Sequence, residues 1–123
     1  MRIFGALAVA LAVSVMAGCG GSVSSSSSVT GPTTSATTVS IVRGAENLTT
    51  TAYSPNPVVV PAGTTITWTN NDTTEHTSTA DASGWSSGII SPGGSFSVTL
   101  QTAGTFTYHC TIHPNMVGTV TVQ

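Results

Sequence analysis

The sequence predicts an all-β fold, a single small β-sandwich or barrel. Three observations carry that reading. Residues 39–123 break into short runs rich in Val, Ile and Thr, several with apolar and polar side chains in alternation. Gly, Pro and Asn punctuate the gaps, at Pro61-Ala62-Gly63, Asn70-Asn71-Asp72, Ser91-Pro92-Gly93-Gly94 and Ala103-Gly104. No segment sustains a 3.6-residue apolar period, and the chain contains no Lys, so no helix longer than a turn or two is expected.

In chain order, the first element is an address. Met1-Arg2 is a short basic start, and Ile3 to Met16 is an apolar run of fourteen residues. A membrane-spanning helix needs about 20, so the run suits a signal-peptide core over residues 1–18. It ends in Val15-Met16-Ala17-Gly18-Cys19, which resembles the lipobox of bacterial lipoproteins, with Met16 where Leu is commonest. That resemblance implies a lipidated Cys19 at the head of the mature chain. Residues 19–38 are nearly all Ser, Thr, Gly and other small residues, with nothing to bury, and are read as a disordered linker. At about 5–6 Å × √n, such a tether reaches roughly 22–26 Å. The expected location is therefore outside the cytoplasmic membrane, on its periplasmic or outer-surface side.

Strands follow near 39–45, 57–60, 64–70, 77–80, 95–100, 104–110 and 117–122. Trp68, Phe96, Phe106 and Tyr108, with Ile66, Val98 and Leu100, are the expected core. Trp85, flanked by Ser and Gly, reads as a loop residue plugging a sheet edge. Asn47 and Asn71 begin Asn-x-Thr triplets but are read as turn residues. Charge is sparse: the chain carries a net −2, and loss of Arg2 with the leader leaves −3. With no Lys and only Arg2 and Arg43, the chain has no basic patch to neutralise phosphates, which excludes a nucleic-acid partner.

The chemistry lies in Tyr108-His109-Cys110-Thr111-Ile112-His113-Pro114-Asn115-Met116. A thiol, an imidazole and a thioether fall three residues apart, at 110, 113 and 116. Two His and one Cys with a weak axial Met are the donor set of blue-copper centres. Taken singly, a strand Cys is commonly a small buried hydrophobe, and a lone His or Met is commonly packing. The joint pattern requires a second His, from His76 or His109. In the alternating run Gly104 to Cys110, His109 points away from Cys110, Tyr108 and Phe106, which leaves His76. Structural zinc sites favour more Cys and His and no thioether, so copper is preferred. Of the two Cys, Cys19 stands at the processing site, and a Cys19–Cys110 disulfide would pin a disordered stalk to a buried strand.

These residues resemble the cupredoxins. Cys-x-x-His-x-x-Met, preceded by Gly-Thr-Phe-Thr-Tyr-His and followed by Val-Gly-Thr-Val-Thr-Val, is similar to their C-terminal ligand loop, in the short form of amicyanin-like members. Pro57 to Asn70, with His76 six residues on, is similar to the strand and loop that bring the first His of plastocyanin-like members. Glu75 stands where Pro is usual, and Thr77 where Asn is common. The resemblance implies a Greek-key β-sandwich of the cupredoxin type over residues 39–123. It implies one copper per chain, cycling Cu(I)/Cu(II), held by His76, Cys110, His113 and Met116. It also implies an electron-exit patch at His113, Pro114 and Asn115, where redox proteins dock on a monomer. The expected activity is one-electron transfer and not catalysis. The alternatives weighed are a copper storage or delivery lipoprotein and a metal-free adhesion sandwich.

Overall fold

A computed structural model describes residues 34–123. The signal-peptide, Cys19 and most of the tether readings lie outside the described residues. Eight strands form, in order β1 Ala36–Ile41, β2 Tyr53–Ser54, β3 Val58–Val60, β4 Thr64–Asn70, β5 Thr79–Ala80, β6 Ser95–Leu100, β7 Gly104–His109 and β8 Val117–Val122. The one helical element among the described residues is a 3-10 turn, Ala45–Asn47.

Two four-stranded sheets result, ordered β2-β1-β4-β6 and β3-β8-β7-β5. Parallel pairs β1–β4 and β3–β8 join elements distant in sequence, while β4–β6, β7–β8, β5–β7 and β1–β2 are antiparallel. Strand β4 explains why the sheets stack. Its even residues Thr64, Ile66, Trp68 and Asn70 are buried, and its odd residues only partly so. The odd side chains instead form a hydroxyl ladder with β6: Thr65–Thr99 at 2.7 Å, Thr67–Ser97 at 2.7 Å and Thr69–Ser95 at 3.1 Å. One face of the sheet is thus apolar and the other self-satisfied toward solvent.

The core lies between the sheets. Trp68 meets Tyr108 edge-on at 5.4 Å and stacks on Trp85 at 5.4 Å between centroids, and Tyr53 meets Tyr108 at 4.7 Å. Such aromatic pairs contribute about 0.5–1.5 kcal/mol each beyond the area they bury. Burial pushes the Tyr108 phenol up to about 12, against a smaller pull from Trp68, so it is a neutral packing group at any ordinary pH. Gly118 faces Tyr108 across the β7–β8 ladder, and a Cβ there would clash with its Cζ and Oη.

Several expectations change in detail. β1 begins at Ala36, so its first three residues belong to a strand and not to the linker assigned to 19–38. It also ends at Ile41, because Gly44 takes a left-handed φ of 71° and turns the chain into the 3-10 element. Tyr53–Ser54, a strand too short to alternate, was not expected. Phe96, Val98 and Phe106 are only partly buried. The first two stand on β6, an edge strand covered on one flank only. Trp85 is in a loop as expected, but it enters the core, with its Nε1 donating to Ser78 Oγ at 2.9 Å.

Candidate metal centre

Two loops at one end of the sandwich carry the donors. The β7–β8 hairpin carries three. His109 pairs with Val117 as the last strand register, and Cys110 N donates to Met116 O at 3.1 Å, so Cys110 and Met116 extend the ladder by one step. Both are fully buried at the hairpin mouth. The five residues between them make the turn, closed by Met116 N to His113 O at 2.9 Å.

The other loop leaves β4 at Asn70, whose buried side chain organises it. Asn70 Nδ2 donates to Thr74 O and Ile90 O, both at 2.8 Å, and Oδ1 accepts from Asp72 N at 2.9 Å. His76 then exchanges backbone hydrogen bonds with Ile90, at 3.3 and 2.8 Å, and its ring is fully buried.

The two loops converge. Cys110 Sγ lies 3.9 Å from His76 Nδ1 and 3.9 Å from His113 Nδ1, and the three donor atoms lie within 4.8 Å of one another. Bonds of about 2.3 Å to sulfur and 2.0 Å to nitrogen, opened to a trigonal angle, put S and N about 3.7 Å apart. The donor spacing therefore fits one first-row metal ion in the plane of the three. Thiolate and thioether donors suit copper, zinc or iron–sulfur clusters, and a donor set of one Cys, two His and a Met is not that of a structural zinc site, which favours copper.

His109 lies apart from this cluster, as strand parity predicts. It is 31% exposed on the opposite face, with Nδ1 against Asp81. The Thr107 hydroxyl, and then the His109 ring, hold the Asp81 carboxyl below its usual value. His113 is partly buried, Ile112 is 44% exposed, and Pro114 and Asn115 are exposed. The side-chain amide of Asn115, however, donates to Leu48 O at 2.9 Å and Glu46 O at 3.4 Å.

The roles of several residues around the site were not read from sequence. Thr77 N donates to Cys110 Sγ at 3.3 Å, and the Thr77 hydroxyl accepts from Thr111 N at 2.8 Å. Thr77 therefore fills its position by a main-chain donor that any non-Pro residue offers, and adds a hydroxyl that ties the loops. Tyr53 Oη donates to Thr77 O at 2.6 Å, and burial, then the nearby Cys110, pushes its phenol well up. Asp72 is the most consequential omission. Its Oδ2 faces His76 Nε2 at 2.8 Å, and it also accepts from Gly44 N, Ala45 N and Thr73 N at 3.0, 3.2 and 2.8 Å. Burial alone would raise this carboxyl, but the His76 ring and the N–H donors outweigh it and hold Asp72 well below the carboxylate range. A carboxylate behind a ligand His fixes its tautomer and aims the other nitrogen at the metal. Glu46, Asp72 and His76 also bring three ligand-type atoms together, but the donors on Asp72 already saturate its oxygens. The signal available in sequence was the Asp-x-x-x-His spacing.

The cupredoxin-like domain model matches residues 9–122. The chain belongs to the cupredoxins. Among its relatives, plastocyanin of Scenedesmus fuscus is 36% identical over 84 residues, covering 58% of this chain and 86% of that protein. Plastocyanin of Prochlorothrix hollandica is 34% identical over 100 residues, covering 72% and 76%. In structure, a purple cupredoxin from Nitrosopumilus maritimus superposes with a TM-score of 0.67 at 31% identity, covering 71% of this chain and 99% of that one. The Cu(I) form of an amicyanin mutant superposes at 0.61 and 28% identity, covering 72% and 82%. The cupredoxin fold expected from the ligand loop is therefore the fold found, its cofactor is one copper, and its function is that of an electron carrier.

The Asp72 geometry makes a prediction. Replacing Asp72 by Asn leaves the size but removes the charge from four donors. Hydrogen bonds to charged groups contribute about 1.5–3 kcal/mol, and partners behind metal ligands contribute 10–100-fold in affinity. Asp72→Asn should cost about 2 kcal/mol in urea unfolding of the copper-free protein at pH 7, and roughly tenfold or more in copper affinity. Because the folded value is depressed, the stabilisation is complete above the unfolded value near 4 and is lost as pH falls toward the lowered folded one. The gap between wild type and variant should therefore narrow between pH 5 and pH 2. An equal gap at both ends would refute the assignment.

Proposed function

We propose that this cupredoxin is a blue-copper one-electron carrier tethered outside the cytoplasmic membrane through a lipidated Cys19. The observation that carries the reading is the buried Cys110 sulfur, with His76 Nδ1 and His113 Nδ1 each at 3.9 Å. In this reading His76, Cys110 and His113 would hold the copper, with the buried Met116 thioether as a weaker fourth donor. Copper bound there supplies a Cu(II)/Cu(I) couple through its bond to the Cys110 thiolate.

The chain's own residues then do three things. Thr77 N–H hydrogen-bonds the sulfur and limits its movement between redox states. Burial of His76, Cys110 and Met116 excludes water from the metal. His113, partly buried on a short loop, turns its far edge toward the surface and is the proposed exit, with Ile112 and Pro114 beside it as an uncharged docking face. The positions such a metal offers are filled by protein, so the reading assigns it no substrate.

The anchor reading rests on the apolar run Ile3–Met16, on Cys19 after Ala17-Gly18, and on the Ser-rich stretch that follows. It places the domain on the periplasmic or outer-surface side of a membrane, as a monomer that meets redox proteins at the His113 end.

Three measurements test these statements. Cys110→Ser should abolish the intense visible thiolate-to-copper band of the Cu(II)-loaded protein, and His109→Ala should largely keep it. Equal bleaching by both would break the ligand assignment.

Cys19→Ala should move the expressed protein from membrane to soluble fraction without altering that band. Acyl chains contribute about 0.8 kcal/mol per buried CH₂, so wild type recovered in the soluble fraction would sink the anchor.

Steering by charge is screened over about 8–10 Å at ordinary salt, and the acidic residues expected near this end, Asp72 and Glu75, are too few to form a steering cluster. Electron self-exchange should then change less than about tenfold between low and physiological salt, and Ile112→Glu should slow it. A hundredfold salt effect would show that charge steering governs the encounter.

A further inference from the structure

Apart from the donors themselves, one short stretch touches both donor-bearing loops. Gly44 N and Ala45 N hold the Asp72 carboxylate, which in turn holds His76. One turn later, Glu46 O and Leu48 O accept the side-chain amide of Asn115, and Thr49 O accepts Val117 N at 3.4 Å. The left-handed Gly44 and the 3-10 turn aim N–H groups at one loop and carbonyls at the other.

Asn115 sits between His113 and Met116, and the residue as a whole is exposed. An exposed Asn ordinarily leaves its amide to water. Here both bonds span 67 or more residues of chain. Among the described residues, they are the only hydrogen bonds joining residues 112–115 to a different part of the fold. The 2.9 Å contact is a full hydrogen bond, and the 3.4 Å contact is long and weak. Asn suits the position because one NH₂ group supplies two donors on a short stem. Asp, of the same size, would set a carboxylate against two carbonyl oxygens.

We propose that Asn115 is a positioning residue for the copper site. Its amide clamps the ligand loop onto the 44–48 turn, and through that turn fixes His113 and Met116 relative to His76. The proposal rests on the reading of His76, Cys110, His113 and Met116 as copper ligands.

The test uses the full chain loaded with Cu(II). Wild type is measured first: absence of its intense thiolate band defeats the copper reading itself, before any variant is compared. Given that band, Asn115→Ala should change the ratio of the visible bands and the copper hyperfine splitting in EPR. It should also release copper to a chelator about tenfold faster, the factor that loss of one ordinary hydrogen bond gives. Asn115→Asp should be worse than Ala, and Asn115→Gln should recover most of the wild-type signal. Asn56→Ala is the comparison, because Asn56 ties Thr50 O, Val117 O and Thr119 N at 2.7, 3.1 and 2.9 Å without touching the loop interior. It should lower the melting temperature and leave the spectrum and release rate alone. Wild-type spectra and release rates in Asn115→Ala or Asn115→Asp would overturn the proposal. So would equal spectral changes in Asn56→Ala, which would reduce Asn115 to one structural contact among others.

Discussion

The register between β7 and β8 is the constraint on which the site depends. Side chains on a strand alternate, so a slip of one residue would turn Cys110 outward and His109 inward. The Tyr108–Gly118 pair opposes that slip. Tyr108 is fully buried over a position with no room for a Cβ, and every other residue of β8 carries one. With that pair in place, the ladder delivers His109 opposite Val117 and then Cys110 opposite Met116. Two sulfur donors thus reach the hairpin mouth as consequences of packing two residues earlier. The turn between them has only to present His113.

The second loop solves a different problem, since no strand holds His76 directly. Polar side chains do so, in sequence: Asn70 shapes the loop, Asp72 orients the ring, and Thr77 crosses to Cys110 and Thr111. Buried polar groups are costly unless satisfied, and here each is bonded more than once. The donors accordingly belong to two loops that protein groups bond to each other. A site assembled in this way moves little when its metal gains or loses an electron. Little movement means little reorganisation, which is what fast electron transfer requires.

How much of this was legible in sequence follows from which forces act locally. Alternation in Gly104–Cys110 was readable because a period of two is a property of the strand itself, and it separated His109 from the donors correctly. The metal loop was readable because packing alone rarely sets three soft or borderline donors at one fixed spacing. The turn at 44–48 was not, because its role is made of main-chain N–H and C=O groups that any residue offers. Tyr53 escaped for the same reason as Asp72. Tyr53 acts through Thr77 O, 24 residues away, and the turn that holds Asp72 lies 27 to 28 residues from it, distances over which no local pattern reports; the Asp-x-x-x-His spacing was the one local trace Asp72 left. Trp85 was half-read: Ser and Gly around it marked a loop, but nothing local indicated that the loop folds its indole onto Trp68.

The same geometry separates a relay from a metal carrier. A protein that hands copper on needs ligands that can leave one at a time for an incoming donor, so they lie at the surface on segments free to open. Here Cys110, His76 and Met116 are fully buried. Detaching Cys110 means breaking the Thr77 N–H bond to its sulfur, and moving Met116 means opening the main-chain bond from Cys110 N. Of the four, His113 alone is partly exposed. One partly exposed ligand allows electrons to pass through its ring without any bond to the metal being exchanged, whereas transfer of the ion would have to disassemble the end of the sandwich. Burial of three donors and exposure of the fourth therefore favour moving the electron and keeping the copper.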